Sequence, residues 1–127
     1  MKFISTKVHA VLDYVVGILL IAAPWLLGFN DGTAAQWVPV ILGALTIIFS
    51  ICTIYEGGIV KMIPMSAHLA FDIISGVVLA ASPWLFGFAD RIYLPHLIVG
   101  ILEIVVASCT TTRVGEVHRH RVTTPHA

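Results

Sequence analysis

Charged residues are scarce in this 127-residue chain. Seven Lys and Arg and seven Asp and Glu make up 11% of it, whereas an ordinary soluble domain is roughly a quarter charged. So few charges cannot cover a water-facing globule. The formal net charge is zero, and seven basic residues do not form a surface that follows a phosphate backbone. Nucleic acid is therefore excluded as a partner.

Cysteine and catalytic motifs are scarce as well. Cys52 and Cys109 form no CxxC pair and are too few for a disulfide-stapled secreted domain. The sequence has no HExxH zinc motif and no phosphate-binding glycine loop. We therefore expect no cofactor and no enzymatic activity, and we interpret both thiols as small apolar residues.

Apolar sequence fills the chain instead. Hydrophobic residues make up 58% of it, and the mean hydropathy is +0.97. A bilayer core about 30 Å thick needs about 20 helical residues, and four apolar stretches approach that length, separated by short turn segments. The chain is predicted to be all-α, a bundle of four transmembrane helices in a lipid bilayer. The predicted spans are residues 8–29, 37–55, 67–88 and 93–110.

The first half of the chain returns in the second half. Eight residues recur 59 positions later, as from His9 to His68, and in the second helix of each unit the offset is 57, as from Gly43 to Gly100. This pattern predicts two parallel tandem repeats of a helical hairpin within a single membrane domain. Repeat one covers residues 5–58 and repeat two covers 64–115. The first set is His9, Asp13, Gly17, Pro24, Trp25, Gly28, Phe29 and Asp31, and its counterparts are His68, Asp72, Gly76, Pro83, Trp84, Gly87, Phe88 and Asp90.

The basic residues predict an orientation. With the first helix entering from the cytoplasm, only Arg91 lies outside, and the positive-inside rule favours that arrangement. Both termini are then cytoplasmic, residues 113–127 form a polar cytoplasmic tail, and the protein is integral to a cell membrane of the bacterial inner type. The basic residues inside are Lys2, Lys7, Lys61, Arg113, Arg119 and Arg121, and the aromatic residues that would anchor the outer interface are Trp25, Trp37, Trp84 and Tyr93.

Each repeat carries a proline-tryptophan motif near the end of its first helix. The motifs read Ala23-Pro24-Trp25-Leu-Leu-Gly28-Phe29 and Ser82-Pro83-Trp84-Leu-Phe-Gly87-Phe88. This resembles the SPW repeat family of small prokaryotic membrane proteins, whose unit has the triplet in the first of two transmembrane helices. The resemblance covers the chain to about Thr112 and implies a fold and a membrane location, but no biochemical activity.

The motif has two interpretations. As a helix end, proline loosens a backbone hydrogen bond, tryptophan anchors at the interface and glycine stops the helix. Alternatively, the kinked ends of the first and third helices line an outward-facing vestibule. Because Ala23 replaces the serine in the first copy, a serine hydroxyl is not required in both repeats.

Two His-Asp pairs lie within predicted spans. His9 and Asp13 are four residues apart, as are His68 and Asp72, so an imidazole can meet a carboxylate on one helix face. An acid inside a membrane costs about 2.5–3.5 kcal/mol on insertion scales, so each aspartate should face the bundle interior. The pairs can serve as polar contacts that stabilise the packing between helices, as proton-relay groups, or as a metal site. No metal is predicted, because histidines so near the membrane surface can be served equally well by water.

Glu103 is the strongest single candidate for a functional residue. It stands where the first repeat has Thr46, near the predicted bilayer midplane, and shares a helical face with His96 and Gly100. Three histidines follow in the tail, where contact with anionic lipid headgroups is favoured over metal binding. They are His118, His120 and His126.

Three functions remain open. The favoured one is a structural or accessory membrane protein that binds a membrane protein partner or forms a homo-oligomer through its glycine faces. The second is an oligomeric proton- or ion-linked channel or carrier that uses the His-Asp pairs and Glu103. The third is a membrane enzyme or redox protein that uses Cys52 and Cys109, disfavoured because cytoplasmic thiols stay reduced. A single four-helix chain has little room for a wide pore, which favours the first.

Overall fold

A computed structural model describes residues 2–114 of the chain. Within that range there are four α-helices and no strand, which confirms the predicted all-α fold. Helices α1 and α2 pack together as one hairpin, α3 and α4 pack together as a second, and α2 packs on α3. Residues 115–127, most of the predicted tail with its three histidines, lie outside the described residues. The helices are α1 (Thr6–Leu26), α2 (Ala34–Ile51), α3 (Met65–Leu85) and α4 (Leu94–Ser108).

Three of these helices, α1, α2 and α3, are long and apolar enough to cross a membrane. Helix α4 is also apolar but has 15 residues, about 22 Å at a rise of 1.5 Å per residue, which is shorter than a bilayer core. The bundle exposes large aliphatic side chains, while its histidines and aspartates in α1 and α3 are buried. This arrangement suits a hydrocarbon solvent. Exposed examples are Val11, Ile18, Ile41, Ile74 and Ile101.

The proline-tryptophan motif ends α1 earlier than predicted, at Leu26 rather than at residue 29. Gly28 adopts a left-handed φ of 74°, and the Phe29 N–H donates back to the Pro24 carbonyl at 2.8 Å. These features define a Schellman cap, in which glycine is favoured because it has no Cβ. The same cap closes α3, where Gly87 has a φ of 71°. The motif therefore works as a helix end.

The opposite end of the bundle is closed by short extended segments. Ile4, before α1, pairs with Thr110, after α4, and Ile63, before α3, pairs with Thr53, after α2. Helix α2 consequently ends at Ile51 and does not continue to residue 55 as predicted, because the backbone that follows bonds to the segment before α3. Each pairing holds a threonine beside the first turns of α1 or α3. We call this the inner end, and we call the opposite end, where the Schellman caps lie, the outer end.

Glycines let the two helices of each hairpin cross closely. A Cβ on Gly43 would lie 2.7 Å from the Gly17 carbonyl oxygen, and one on Gly100 would lie 2.6 Å from the Gly76 carbonyl oxygen. Only glycine permits such approaches. The predicted close packing is confirmed, and these glycines are buried within the hairpins; an oligomer of the chain stays a prediction.

At the outer end an ion pair joins the turns of the two hairpins. Arg91 Nη1 lies 2.6 Å from Asp31 Oδ2, and Asp31 also accepts hydrogen bonds from the backbone and hydroxyl of Thr33. The hydrogen bonds from Thr33, aided by the charge of Arg91, hold the pKa of Asp31 below its ordinary value. The hairpins are thus linked directly at this end.

Candidate functional site

Four polar side chains from α1 and α3 meet near the inner end of the bundle. His9, Asp13, His68 and Asp72 are buried, with exposed fractions of 1%, 6%, 0% and 5%. One ring nitrogen or carboxylate oxygen from each residue lies within 4.8 Å of the corresponding atoms of the other three. We call these four residues the His-Asp cluster.

Contacts in the His-Asp cluster run both within and between the hairpins. Within each helix, His9 Nε2 lies 3.0 Å from Asp13 Oδ1 and His68 Nε2 lies 3.2 Å from Asp72 Oδ2, as their spacing of four residues predicts. Between hairpins, His9 Nε2 lies 2.8 Å from Asp72 Oδ2 and His68 Nε2 lies 3.0 Å from Asp13 Oδ2. Each imidazole therefore faces both carboxylates, and the cluster ties the two repeats together.

Two threonines fix the orientation of the imidazoles. His9 Nδ1 lies 2.8 Å from the Thr110 hydroxyl, and His68 Nδ1 lies 2.7 Å from the Thr53 hydroxyl. Each hydroxyl donates its own hydrogen to a backbone carbonyl of the helix before it, so its oxygen accepts from the ring and Nδ1 carries the hydrogen. In a neutral ring, Nε2 then presents a lone pair to the carboxylates. Because a lone pair and a carboxylate repel each other, a proton or a metal cation is needed between Nε2 and the carboxylate oxygens.

Sequence reasoning missed these threonines, although a signal was present. Thr53 and Thr110 are 57 positions apart, the same offset that relates the second helices of the two repeats. The residues next to them, Cys52 and Cys109, are both free and partly buried at the C-caps of α2 and α4. The offset of 57 that relates Gly43 to Gly100 therefore applies equally to the histidine partners.

Tyr55 is a further member of the site that the sequence did not single out. Its side chain is fully buried, and its hydroxyl donates to Asp13 Oδ2 at 2.7 Å. Burial raises the pKa of the Tyr55 phenol, which keeps the hydroxyl protonated as a donor. The second repeat has Thr112 at the matching position, so the two carboxylates have different surroundings.

Glu103 lies beside the His-Asp cluster but is not paired with it. A cavity of about 210 Å³ is lined by Asp13, Asp72 and Glu103 together with aliphatic side chains. Among residues 2–114, neither buried carboxylate oxygen of Glu103 has a hydrogen-bond partner, and the nearby buried Ser75 hydroxyl also has none. Three carboxylates therefore border one cavity inside the bundle.

His96 belongs to a different part of the molecule. Its Nε2 donates to the Ala35 carbonyl at 2.8 Å, and its ring packs against Phe29 and Phe88 with centroid distances of 5.2 and 4.9 Å. It lines a separate apolar cavity of about 280 Å³ between α1 and α4. The shared helical face of His96 and Glu103 does not bring them into one site.

The remaining motif residues occupy the outer helix ends. Trp25 and Trp84 are 54% and 56% exposed, as an interfacial anchor requires. The Ser82 hydroxyl is buried and donates to the Leu79 carbonyl of its own helix at 2.7 Å. Ala23 has no hydroxyl to make this bond. The serine hydroxyl therefore forms a local hydrogen bond within α3 and is not a functional group that both repeats share.

One protein family matches the chain. The profile described as the SPW repeat domain matches residues 7–110, a range that contains all four members of the His-Asp cluster and both threonines. No curated protein matches the chain, and no solved structure does.

Proposed function

Because the chain belongs to the SPW repeat domain family and three of its helices can cross a membrane, we propose that it is a multi-pass membrane protein with a structural or accessory role. The observation that carries this proposal is that the hairpins are tied at both ends, by the His-Asp cluster and by the Asp31–Arg91 ion pair. A bundle held in this way presents a fixed apolar surface to a partner in the membrane, either another protein or a second copy. The role is not enzymatic.

The proposal also covers the membrane topology of the chain and the evolutionary origin of its two hairpins. All four helices cross the membrane, both termini are cytoplasmic, and the membrane is of the bacterial inner type. The positive-inside rule supports this orientation, because Lys2, Lys7 and Lys61 lie at the inner end and Arg91 lies at the outer end. The two hairpins arose by duplication, which is supported by their matched threonine bonds, glycine crossings and Schellman caps.

Cross-linking in native membranes tests the accessory role. A photoreactive residue is placed at Ile18, Ile41, Ile74 or Ile101, one exposed site on each helix. Partner binding predicts a discrete adduct from one or two of these sites and none from the others. Labelling of lipid alone from all four sites would contradict the proposal.

A second function is favoured by the cavity that Asp13, Asp72 and Glu103 border. An intramembrane acid without a partner is a common feature of ion and proton pathways. In this alternative an oligomer of the chain carries protons or cations past Glu103. Proteoliposomes with wild-type protein would then show a flux that Glu103→Gln abolishes, whereas the accessory role predicts no flux above that of empty vesicles from either protein.

A further inference from the structure

We propose that the His-Asp cluster binds one divalent transition-metal ion, with Zn²⁺ as the best fit. The ligands are Nε2 of His9, Nε2 of His68 and one carboxylate oxygen each from Asp13 and Asp72. Two imidazoles and two carboxylates form a donor set that suits Zn²⁺. This inference goes beyond the accessory role, because a bundle can bind a membrane partner without a metal.

The geometry of the donor atoms fits a single ion. Tetrahedral Zn²⁺ with bonds of about 2.0–2.1 Å separates its ligand atoms by about 3.3–3.4 Å. The four nitrogen–oxygen contacts measure 2.8, 3.0, 3.0 and 3.2 Å, with His9 meeting Asp13 through Oδ1 and His68 meeting it through Oδ2. One ligand atom from each of the four residues lies within 4.8 Å of the other three. Small outward movements, of a few tenths of an ångström for most of these contacts, would admit the ion.

The direction of His68 Nε2 gives an independent indication of a ligand. This atom is fully buried and lies 3.0 and 3.2 Å from two carboxylate oxygens. Within residues 2–114 neither oxygen forms a hydrogen bond with it. His9 Nε2, by contrast, pairs with Asp72 Oδ2 in a hydrogen bond of 2.8 Å. One buried ring nitrogen of the His-Asp cluster is thus left without a hydrogen bond although two carboxylates lie beside it.

The surroundings of the imidazoles match those of metal ligands. A metal-binding histidine donates its other ring N–H to a fixed acceptor, which sets the tautomer and the ring orientation. Thr110 and Thr53 accept from the Nδ1–H of His9 and His68 in this way, which leaves the Nε2 lone pair free to bind the ion. The sum of one divalent cation, two carboxylates and two neutral rings is zero, so the site carries no net charge in a low-dielectric interior.

Burial removes the argument that disfavoured a metal. From the sequence, water near the membrane surface was expected to serve His9 and His68 as well as a metal could. The structure leaves 1% and 0% of these residues exposed. Two protons shared between the imidazoles and the carboxylates would also make the cluster neutral. Measurement of metal binding distinguishes this protonated cluster from a metal site.

Cobalt binding is the test, because tetrahedral Co²⁺ absorbs visible light strongly and replaces Zn²⁺ in such sites. The full-length chain is purified in detergent without a histidine tag and treated with a chelator. The background carries three substitutions that remove the tail histidines, namely His118→Ala, His120→Ala and His126→Ala. We expect one Co²⁺ per chain, tetrahedral absorption, and displacement by one Zn²⁺.

Cluster variants and a matched control locate the site. Asp72→Asn and His68→Gln should each weaken Zn²⁺ binding by at least about tenfold, because each removes a ligand. His96→Gln removes a buried histidine outside the cluster and should leave the affinity unchanged. His9→Cys should retain the ion and add sulfur-to-cobalt charge-transfer absorption, which a purely structural histidine would not produce.

The threonines provide a test that does not remove a ligand. Thr53→Val and Thr110→Val should each lower Zn²⁺ affinity by about 10–100-fold while the helical circular dichroism is retained. If the ligand variants do not fold, these two variants decide the question. The proposal is overturned if the background protein shows no tetrahedral Co²⁺ absorption, if Asp72→Asn keeps the absorption unchanged, or if both threonine variants bind Zn²⁺ as tightly as the background protein does.

Discussion

Substitution of one residue from each hairpin should show that the His-Asp cluster acts as a unit. Asp72 contacts His9 at 2.8 Å and His68 at 3.2 Å, so Asp72→Asn leaves two imidazoles facing only Asp13. Removal of one partner from a buried ion pair costs about 3–5 kcal/mol in soluble proteins, whereas polar contacts between membrane helices average about 0.6 and reach about 1.7 kcal/mol. We expect a loss of about 2–4 kcal/mol for Asp72→Asn or His9→Gln alone.

The double variant should lose less than the sum of the two single losses. With both His9→Gln and Asp72→Asn, the cluster retains His68 and Asp13, which lie 3.0 Å apart and balance in charge. The single variants lack that balance. We therefore expect a coupling energy of about 1–2 kcal/mol, well above the roughly 0.3–0.5 kcal/mol within which independent sites add.

Reversible unfolding in mixed detergent micelles, followed by circular dichroism with a chelator present, measures these free energies. The matched control combines Asp72→Asn with Arg91→Ala, because Asp72 belongs to the His-Asp cluster and Arg91 to the ion pair with Asp31 at the other end of the bundle. That control should be additive. If His9→Gln and Asp72→Asn were equally additive, the four residues would not form one network, and the His-Asp cluster would not act as a unit.

Three further outcomes follow from the structure. Gly100→Ala should destabilise the bundle by about 1–2 kcal/mol, because the added Cβ would lie 2.5 Å from the Ala80 nitrogen and overpacking outweighs the gain of up to about 1 kcal/mol in helix propensity. An unchanged free energy of unfolding would contradict the close helix crossing. Glu103→Gln should not lower the unfolding free energy, since the carboxylate has no hydrogen-bond partner among the described residues, and a marked loss would show a structural role. Hydrogen bonds from Thr33 hold the pKa of Asp31 below its ordinary value of 3.8, so the ionised carboxylate stabilises the fold above that pH, and this stabilisation is lost as the pH falls through the folded pKa. Thermal unfolding should therefore show a smaller loss of stability on acidification for Asp31→Asn than for the wild type.

Local features of this fold were predictable from the sequence. The spacing of His9 and Asp13 is a property of one helix, and the repeat offset carried it to the second helix. The glycine crossings and the glycine at the end of α1 also follow from short segments. Each of these depends on the residues within about one helix turn, or on the copy of that turn in the other repeat.

The contacts between hairpins were not predictable in the same way. The bond between His68 and Thr53 depends on α2 ending at Ile51, since a helix continued to residue 55 would carry Thr53 elsewhere. That ending is determined by backbone pairing with the segment around Ile63, which no local propensity indicates. Tyr55 was missed for the same reason, because it was assigned to the span rather than to the segment that returns over Asp13.

The proposed topology requires all four helices, including the short α4, to cross a membrane. Single cysteines at exposed positions, Lys61→Cys, Asp90→Cys and Val114→Cys, are introduced with Cys52→Ser and Cys109→Ser and labelled in intact cells by an impermeant maleimide. With four spans, Asp90→Cys should be labelled directly, and Lys61→Cys and Val114→Cys should be labelled only after permeabilisation. Labelling of Val114→Cys together with Asp90→Cys in intact cells would show that α4 does not cross the membrane and would rule out the four-span topology.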